Sequence, residues 1–158
     1  MGFPRETKLQ QEIKNYYGEP GENQVRLVLP YPMKLSWAKD KTIKSFYCHE
    51  KVADSLFRIF KRTLDVYGLE KVKELGLDIW GGCFNVRKKR GGDNYSLHSY
   101  GIAVDMDPEN NRLRWRSDKA AFAKQEYDRF WEIVESEGWV SLGRAKGFDW
   151  MHFQAAVV

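Results

Sequence analysis

Twelve residues in the second half of the chain, Ser96-Leu97-His98-Ser99-Tyr100-Gly101-Ile102-Ala103-Val104-Asp105-Met106-Asp107, constrain its fold more than any other stretch. His98 and Asp105 are both good ligands for a borderline metal ion, but neither an unbroken helix nor an unbroken strand brings this pair onto one ion. On a strand their odd spacing would turn them to opposite faces. The backbone must therefore bend between them, and Gly101 is the residue that permits it. After the bend, Ile102, Val104 and Met106 read as the apolar face of a strand, with Ala103 and Asp105 on the other face. Ala103 is small, which leaves room beside the Asp105 carboxylate for an ion. The chain has three histidines, and one of them, His152, stands in Asp149-Trp150-Met151-His152-Phe153 near the C-terminus.

A sequence of 158 residues suits one domain with a real core. Hydrophobic residues make up 42% and aromatic residues 15%, so disorder is excluded for most of the chain. The net charge of +4 favours a polyanionic neighbourhood, such as nucleic acid, an anionic membrane or a cell wall, and also fits plain solubility. Cys48 and Cys83 have neither metal-site spacing nor the number for a disulfide scaffold, and read as buried reduced thiols. The N-terminus lacks the apolar stretch of a signal peptide, and no run approaches the roughly 20 apolar residues of a membrane span. The expectation is synthesis in the cytoplasm with no stable membrane insertion.

Taken in order, residues 7–17 read as a short amphipathic helix ended by Gly18. Val25–Leu29 reads as a strand stopped by Pro30 and Pro32, and Thr42–Tyr47 as another extended piece. Val52, Leu56, Ile59, Phe60 and Thr63 then form a helical stripe closed by Gly68. A second helix spans Leu69–Leu75, and Leu77–Trp80 is a strand entering Gly81-Gly82. Two glycines there predict a bulge or a close backbone approach. Arg87-Lys88-Lys89-Arg90 is a basic run, and Gly91–Asn94 a flexible loop delivering Ser96 and His98. Residues 109–116 read as a polar rim with Trp115 tucked in. Ser117 and Asp118 look like the start of a helix carrying Ala123, Tyr127, Phe130, Trp131 and Val134 and closed by Gly138. Trp139–Leu142 reads as a strand, Gly143–Gly147 as a turn and Trp150–Gln154 as the last strand. The fold class is α+β, an antiparallel sheet carrying the site and flanked by helices. Residues 1–158 form one domain, the first ~25 residues being a peripheral extension, with no separate wall-binding domain.

Together, Ser-x-His-x-x-Gly-x-Ala-x-Asp and Asp-x-x-His resemble the motifs of the zinc peptidases that include D-alanyl-D-alanine carboxypeptidases and phage L-alanyl-D-glutamate endopeptidases. The likeness spans roughly residues 30 to 156 and is nearest to the phage endolysins. It implies the hedgehog/D-Ala-D-Ala-peptidase type of fold and one Zn²⁺ per chain, held by His98, Asp105 and His152. It also implies Asp149 as general base, where many relatives carry glutamate, and Arg87 beside the metal. A guanidinium there suits a peptide carboxylate or a developing oxyanion. Three protein ligands with an open position is the catalytic pattern for zinc, whereas structural zinc is closed by four. Strand parity would turn Asp149 away from His152, so Asp149 is expected in the turn after Gly147.

Ser96 has two readings, a buttress for the His98 loop or a substrate-binding hydroxyl, and no relay that would make it a nucleophile. His49 reads as a structural histidine. The expected activity is hydrolysis of the peptidoglycan stem peptide at the L-alanyl-D-glutamate bond. It is expected of a monomer that reaches the wall by a holin-type escape and binds no nucleic acid. The alternatives are a D-alanyl-D-alanine carboxypeptidase and a non-catalytic zinc-bearing binding module. A nucleic-acid-binding protein ranks below both, since no nucleic-acid fold accompanies the basic residues.

Overall fold

Two long strands, β1 (Gln24–Leu35) and β2 (Ala38–His49), form a hairpin whose turn is Ser36-Trp37. The computed structural model describes residues 2–89, 92 and 94–158. Arg90 of the basic run, and Gly91 and Asp93 of the loop before Ser96, lie outside the described residues. β1 does not stop at its prolines. Its register against β2 jumps between Val28↔Ser45 and Met33↔Ile43, and Pro30 and Pro32 sit inside that irregularity. A residue without an N–H is tolerated where the ladder is already interrupted.

The sheet has six strands in the order β2-β1-β3-β4-β6-β5, with β3 (Ile79–Gly82), β4 (Ala103–Met106), β5 (Val140–Ser141) and β6 (His152–Gln154). It is antiparallel except for one pair, since β1 runs parallel to β3 through Lys34↔Ile79 and Leu35↔Trp80. The expectation of an antiparallel sheet is corrected to that extent. α2 and α3, between β2 and β3, supply the crossover that a parallel pair requires.

Five α-helices surround the sheet among the described residues. α1 (Gln11–Tyr17) is short and buries Ile13 and Tyr17, one turn apart. α2 (Ala53–Tyr67) buries Leu56, Ile59, Phe60 and Thr63, with Val52 at its N-cap, as the helical stripe predicts. α3 (Leu69–Glu74) follows Gly68 directly. α4 (Asp128–Ser136) presents Phe130 and Trp131 to Phe153 of β6, at ring separations of 6.0 and 6.1 Å. Phe153 is paired with Val104, so this face of the sheet is the core, and Asp105 and His152 lie on the other.

Two further expectations need correction. The helix does not begin at Ser117. Residues 121–127 form two 3-10 turns separated by an extended Lys124, and α4 starts at Asp128. The buried Asn111 explains this, because its side chain accepts the Phe122 N–H at 2.7 Å and donates to the Asp107 carbonyl at 3.0 Å. Those bonds pin the segment to the loop after β4 and take the amide that a continuous helix would need.

Likewise, residues 143–146 are not a plain turn but belong to α5 (Leu142–Lys146), capped by the Ser141 hydroxyl and ended by Gly147 at φ 81°. Gly143 is required there because a Cβ would run into the Trp150 ring.

Within the first ~25 residues, read from sequence as a peripheral extension, Ile13 and Tyr17 are buried with the core. This stretch also bonds to the C-terminal residues, with Glu6 N–H to Val157 O at 2.7 Å and Tyr17 hydroxyl to Ala155 O at 2.7 Å. Both cysteines are free and buried, and burial raises the pKa of each thiol.

Candidate metal centre

His98 sits on a 3-10 turn (Leu97–Tyr100) whose four residues are all buried. Ser96 caps the turn by accepting the His98 N–H at 3.3 Å, which matches the buttressing reading. Gly101 follows at φ 71°, and a side chain there would strike Gln24 and the His49 backbone. The bend required between His98 and Asp105 is therefore made where it was expected. The doubled glycine before the site also has its reason. A Cβ on Gly81 would lie 2.7 Å from the Asp105 carbonyl oxygen, and the β3–β4 register shifts between Trp80 and Gly82. Bulge and close approach occur together, and they bring β3 tightly against the strand that carries Asp105.

Asp105 lies directly opposite His152 in the β4–β6 ladder. Its carboxylate bridges both histidines, with Oδ2 3.1 Å from His98 Nε2 and Oδ1 3.1 Å from His152 Nδ1. One ligand atom from each of the three residues falls within 4.8 Å of the others. The remaining ring nitrogens are also engaged. His98 Nδ1 donates to the Cys83 carbonyl at 2.7 Å, and His152 Nε2 donates to Gln154 Oε1 at 2.9 Å. In the neutral rings these outer bonds place the lone pairs of His98 Nε2 and His152 Nδ1 toward Asp105, the tautomers a metal ligand needs.

Electrostatics favour a cation. Burial pushes the Asp105 carboxyl upward, but the hydrogen bonds and charges of His152 and His98 outweigh it and hold the group well below the usual carboxylate range. Burial lowers the His152 pKa, yet the Asp105 hydrogen bond and charge raise it to about 9. The pocket thus demands positive charge, from an added proton or from a metal ion. Two neutral imidazole nitrogens and one carboxylate suit zinc, and no fourth protein ligand from His, Cys, Asp or Glu joins them among the described residues.

Asp149 lies in the turn after Gly147, with φ 59°, and its N–H donates to the Leu113 carbonyl at 2.9 Å. It is not in the ligand cluster but lines the same cleft as His98, Asp105 and His152, together with Arg87, Lys89, Ser96, Leu113 and Met151. Burial raises its carboxyl pKa to about 6; the positive charge of the histidines works against that rise and Asp105 adds to it. Arg87 is exposed and lines this cleft as well as a second one of about 410 Å³ that also includes His98 and Asp105.

His49 is buried away from the cluster, hydrogen-bonded to Tyr17 and Lys51. Trp115 is half-buried against the core, with Lys119 4.7 Å above its ring, so the loop is a rim.

Gln154 was missed by the sequence reading, although strand parity marks it, two residues beyond His152 on the same face. It orients the His152 ring and is itself held by the Ala156 carbonyl at 3.0 Å and by Glu6 at 3.4 Å. Lys89, also missed as a lining residue, is tied to Glu6 at 2.8 Å.

No curated protein and no solved structure matches the chain. The stretch from residue 90 to residue 155, which contains His98, Asp105, Asp149 and His152, does match the family model described as D-alanyl-D-alanine carboxypeptidase, the description shared by one branch of the zinc peptidases whose motifs the sequence resembles.

Proposed function

We propose that this protein is a zinc metallopeptidase that hydrolyses the L-alanyl-D-glutamate bond of the peptidoglycan stem peptide and serves as a phage endolysin in host lysis. The family of the matched stretch supports a zinc-dependent, peptidoglycan-directed peptidase in general. One observation carries the catalytic reading. Three ligands line a cleft that also holds an aspartate, its carboxyl pKa raised by burial to about 6, and an exposed arginine. A binding module needs neither group around an open metal.

When bound, zinc would polarise the scissile carbonyl and make water more acidic. Asp149, deprotonated at neutral pH, takes the proton of the attacking water as its oxygen adds to the carbonyl carbon. It returns that proton to the leaving amine as the C–N bond breaks. Arg87 offers its planar fork to the oxyanion or to a carboxylate of the peptide. Ser96 holds the His98 turn and borders the same cleft, where its hydroxyl is available to substrate. Cys83 and Gln154 keep the two imidazoles in the ligand tautomer.

The net charge of +4 suits an anionic wall. No helix among the described residues is long and apolar enough to cross a membrane. The proposal includes cytoplasmic synthesis, a holin-type escape to the wall, action as a monomer and no nucleic-acid partner. A second reading is removal of the terminal D-alanine, favoured by the description of the family and by an arginine able to hold a terminal carboxylate. Mass spectrometry of digested peptidoglycan decides between them. New L-alanine carboxyl ends and D-glutamate amino ends are expected. Free D-alanine as the sole product would transfer the protein to the second reading, and new reducing sugar ends would reject both.

A further inference from the structure

The two clefts that meet at His98 and Asp105 differ in chemistry. The one holding Asp149 is edged by Arg87 and Lys89. The other is lined by Trp37, Phe46, Tyr47, Trp80, the Gly81–Asn85 segment and Arg87, and among the described residues Arg87 and Asp105 are the only acidic or basic side chains besides His98 that line it. Its lining includes the buried Phe46–Trp80 pair, with ring centroids 4.3 Å apart. Its walls include two aromatic side chains left open to solvent, Trp37 at 67% and Tyr47 at 54% exposure. Trp37 stands in the two-residue turn of the β1–β2 hairpin, and that turn is anchored, because Ser36 N–H donates to the Trp80 carbonyl at 2.9 Å. Lys39, at the start of β2, is tied to Glu109 at 3.0 Å. The turn that carries the exposed indole is thus anchored to β3, and the indole lines the same cleft as His98 and Asp105.

Solvent-facing aromatic rings that share a cleft with Asn85 and a glycine-rich backbone suit a ligand with one apolar face and a polar edge. A pyranose ring has that shape: C–H groups on its faces, hydroxyl and acetamido groups around its rim. We propose that this cleft is a carbohydrate subsite, which seats the N-acetylated sugar bearing the stem peptide while the acidic peptide runs past Arg87 and Lys89. This deepens the proposed function and rests on it.

The polarity matches the substrate. The glycan portion offers the neutral ring, and the D-glutamate portion offers carboxylates for the basic cleft. Spacing matches as well. Between the sugar and the L-alanyl carbonyl lie a lactyl and an alanyl unit, about 7 Å of extended chain at ~3.5 Å per unit. The aromatic cleft begins at His98 and Asp105 themselves, so a sugar seated there brings the L-alanyl-D-glutamate bond, rather than one several residues further along, to the metal.

The test uses the zinc-loaded full chain with two substrates, an N-acetylmuramoyl stem peptide and the same peptide without the sugar. The muramoyl substrate should be cleaved with a kcat/KM at least tenfold higher, mainly through KM. Trp37→Ala and Tyr47→Ala should erase that ratio and leave cleavage of the free peptide unchanged, and Trp37→Phe should keep most of it. Equal kcat/KM for both substrates in the parent protein, or equal losses on both in Trp37→Ala, would overturn the subsite. Binding of N-acetylmuramic acid alone, followed by perturbation of the Trp37 indole N–H signal in NMR, decides the matter even if the bond assignment fails. Sugar binding that disappears in Trp37→Ala, beside release of D-alanine only, would retain the subsite and reject the endopeptidase. Absence of sugar binding together with L-alanyl-D-glutamate cleavage would do the reverse.

Discussion

Asp105 and His152 are directly opposed across the β4–β6 ladder, and His152 Nδ1 lies 3.1 Å from Asp105 Oδ1. Residues 47 positions apart are thereby held by backbone hydrogen bonds rather than by flexible loops, and His98 joins them from a capped, buried turn. A site assembled on rigid elements should bind its ion with little reorganisation.

Metal analysis of the purified protein should find one zinc per chain. His98→Ala, Asp105→Ala and His152→Ala should lose it, and His49→Ala should retain it while melting at a lower temperature. Chelation should lower the melting temperature of the parent chain, because an ion bound only by the folded state stabilises it by mass action. Zinc retention in His152→Ala, or loss in His49→Ala, would contradict the ligand set.

Asp149 should be separable from the ligands. Its φ of 59° is a conformation that Asp and Asn tolerate better than other side chains. Asp149→Asn is therefore the clean variant. It should keep zinc content and melting temperature and lose turnover by about a hundredfold to ten-thousandfold. Asp149→Glu should recover part of the activity, at a cost of about 1 kcal/mol in stability from the strained backbone. Loss of zinc from Asp149→Asn would make the carboxylate a ligand.

Gln154 should act through His152. Gln154→Ala removes the acceptor that fixes the imidazole tautomer, and zinc affinity measured by competition with a chelator should fall about 10- to 100-fold. Gln154→Glu keeps an acceptor and should lose less. Equal affinities for all three proteins would show that the 2.9 Å contact has no influence on the metal.

Gly81 should be intolerant of a methyl group. An alanine Cβ would meet the Asp105 carbonyl at 2.7 Å, so Gly81→Ala must push β4 away from β3. A stability loss of about 1–3 kcal/mol in chemical denaturation, with weakened zinc binding, is expected. An unchanged denaturation midpoint would mean that the two strands separate freely.

His49 should make the fold sensitive to acid. Its Nδ1 accepts the Lys51 N–H at 3.0 Å and its Nε2 donates to the Tyr17 carbonyl at 2.7 Å, an arrangement only the neutral ring satisfies. Burial lowers its pKa from the usual 6.5, with the Tyr17 hydrogen bond opposing. The unfolded chain therefore binds more protons here than the folded one. This contribution is complete above the unfolded pKa and is lost as pH falls from there toward the lower folded value. Denaturation of chelator-treated protein from about pH 7.5 to about pH 5 should show this contribution as a difference, the parent losing more stability over that range, or gaining less, than His49→Gln. Equal slopes would refute the assignment.

Much of the site was legible in the sequence because its geometry follows from local rules. The odd spacing of His98 and Asp105 demands a bend, and Gly101 is the one residue between them free to supply it. Parity along β4 separates Asp105 from the apolar Val104 and Met106, and the same parity argument sends Asp149 into a turn. The α2 stripe is equally local, since every residue in it answers to one helical period.

What the sequence could not determine depends on partners distant along the chain. Pro30 and Pro32 read as stops, because their tolerance rests on a register jump set by β2. Ser117 reads as a cap, because the bond that breaks the helix comes from Asn111, and Gly143 reads as a turn, because only the Trp150 ring shows why a side chain is forbidden there. The ligands were named by motif, but the convergence of Asp105 and His152 was decided by the β4–β6 pairing, which also brings in Gln154, while Cys83 and the Trp37 hairpin reach the same region through β3. Local periodicity reports the faces of single elements, whereas register and close approach are properties of two elements at once, settled by long-range hydrogen bonds and packing.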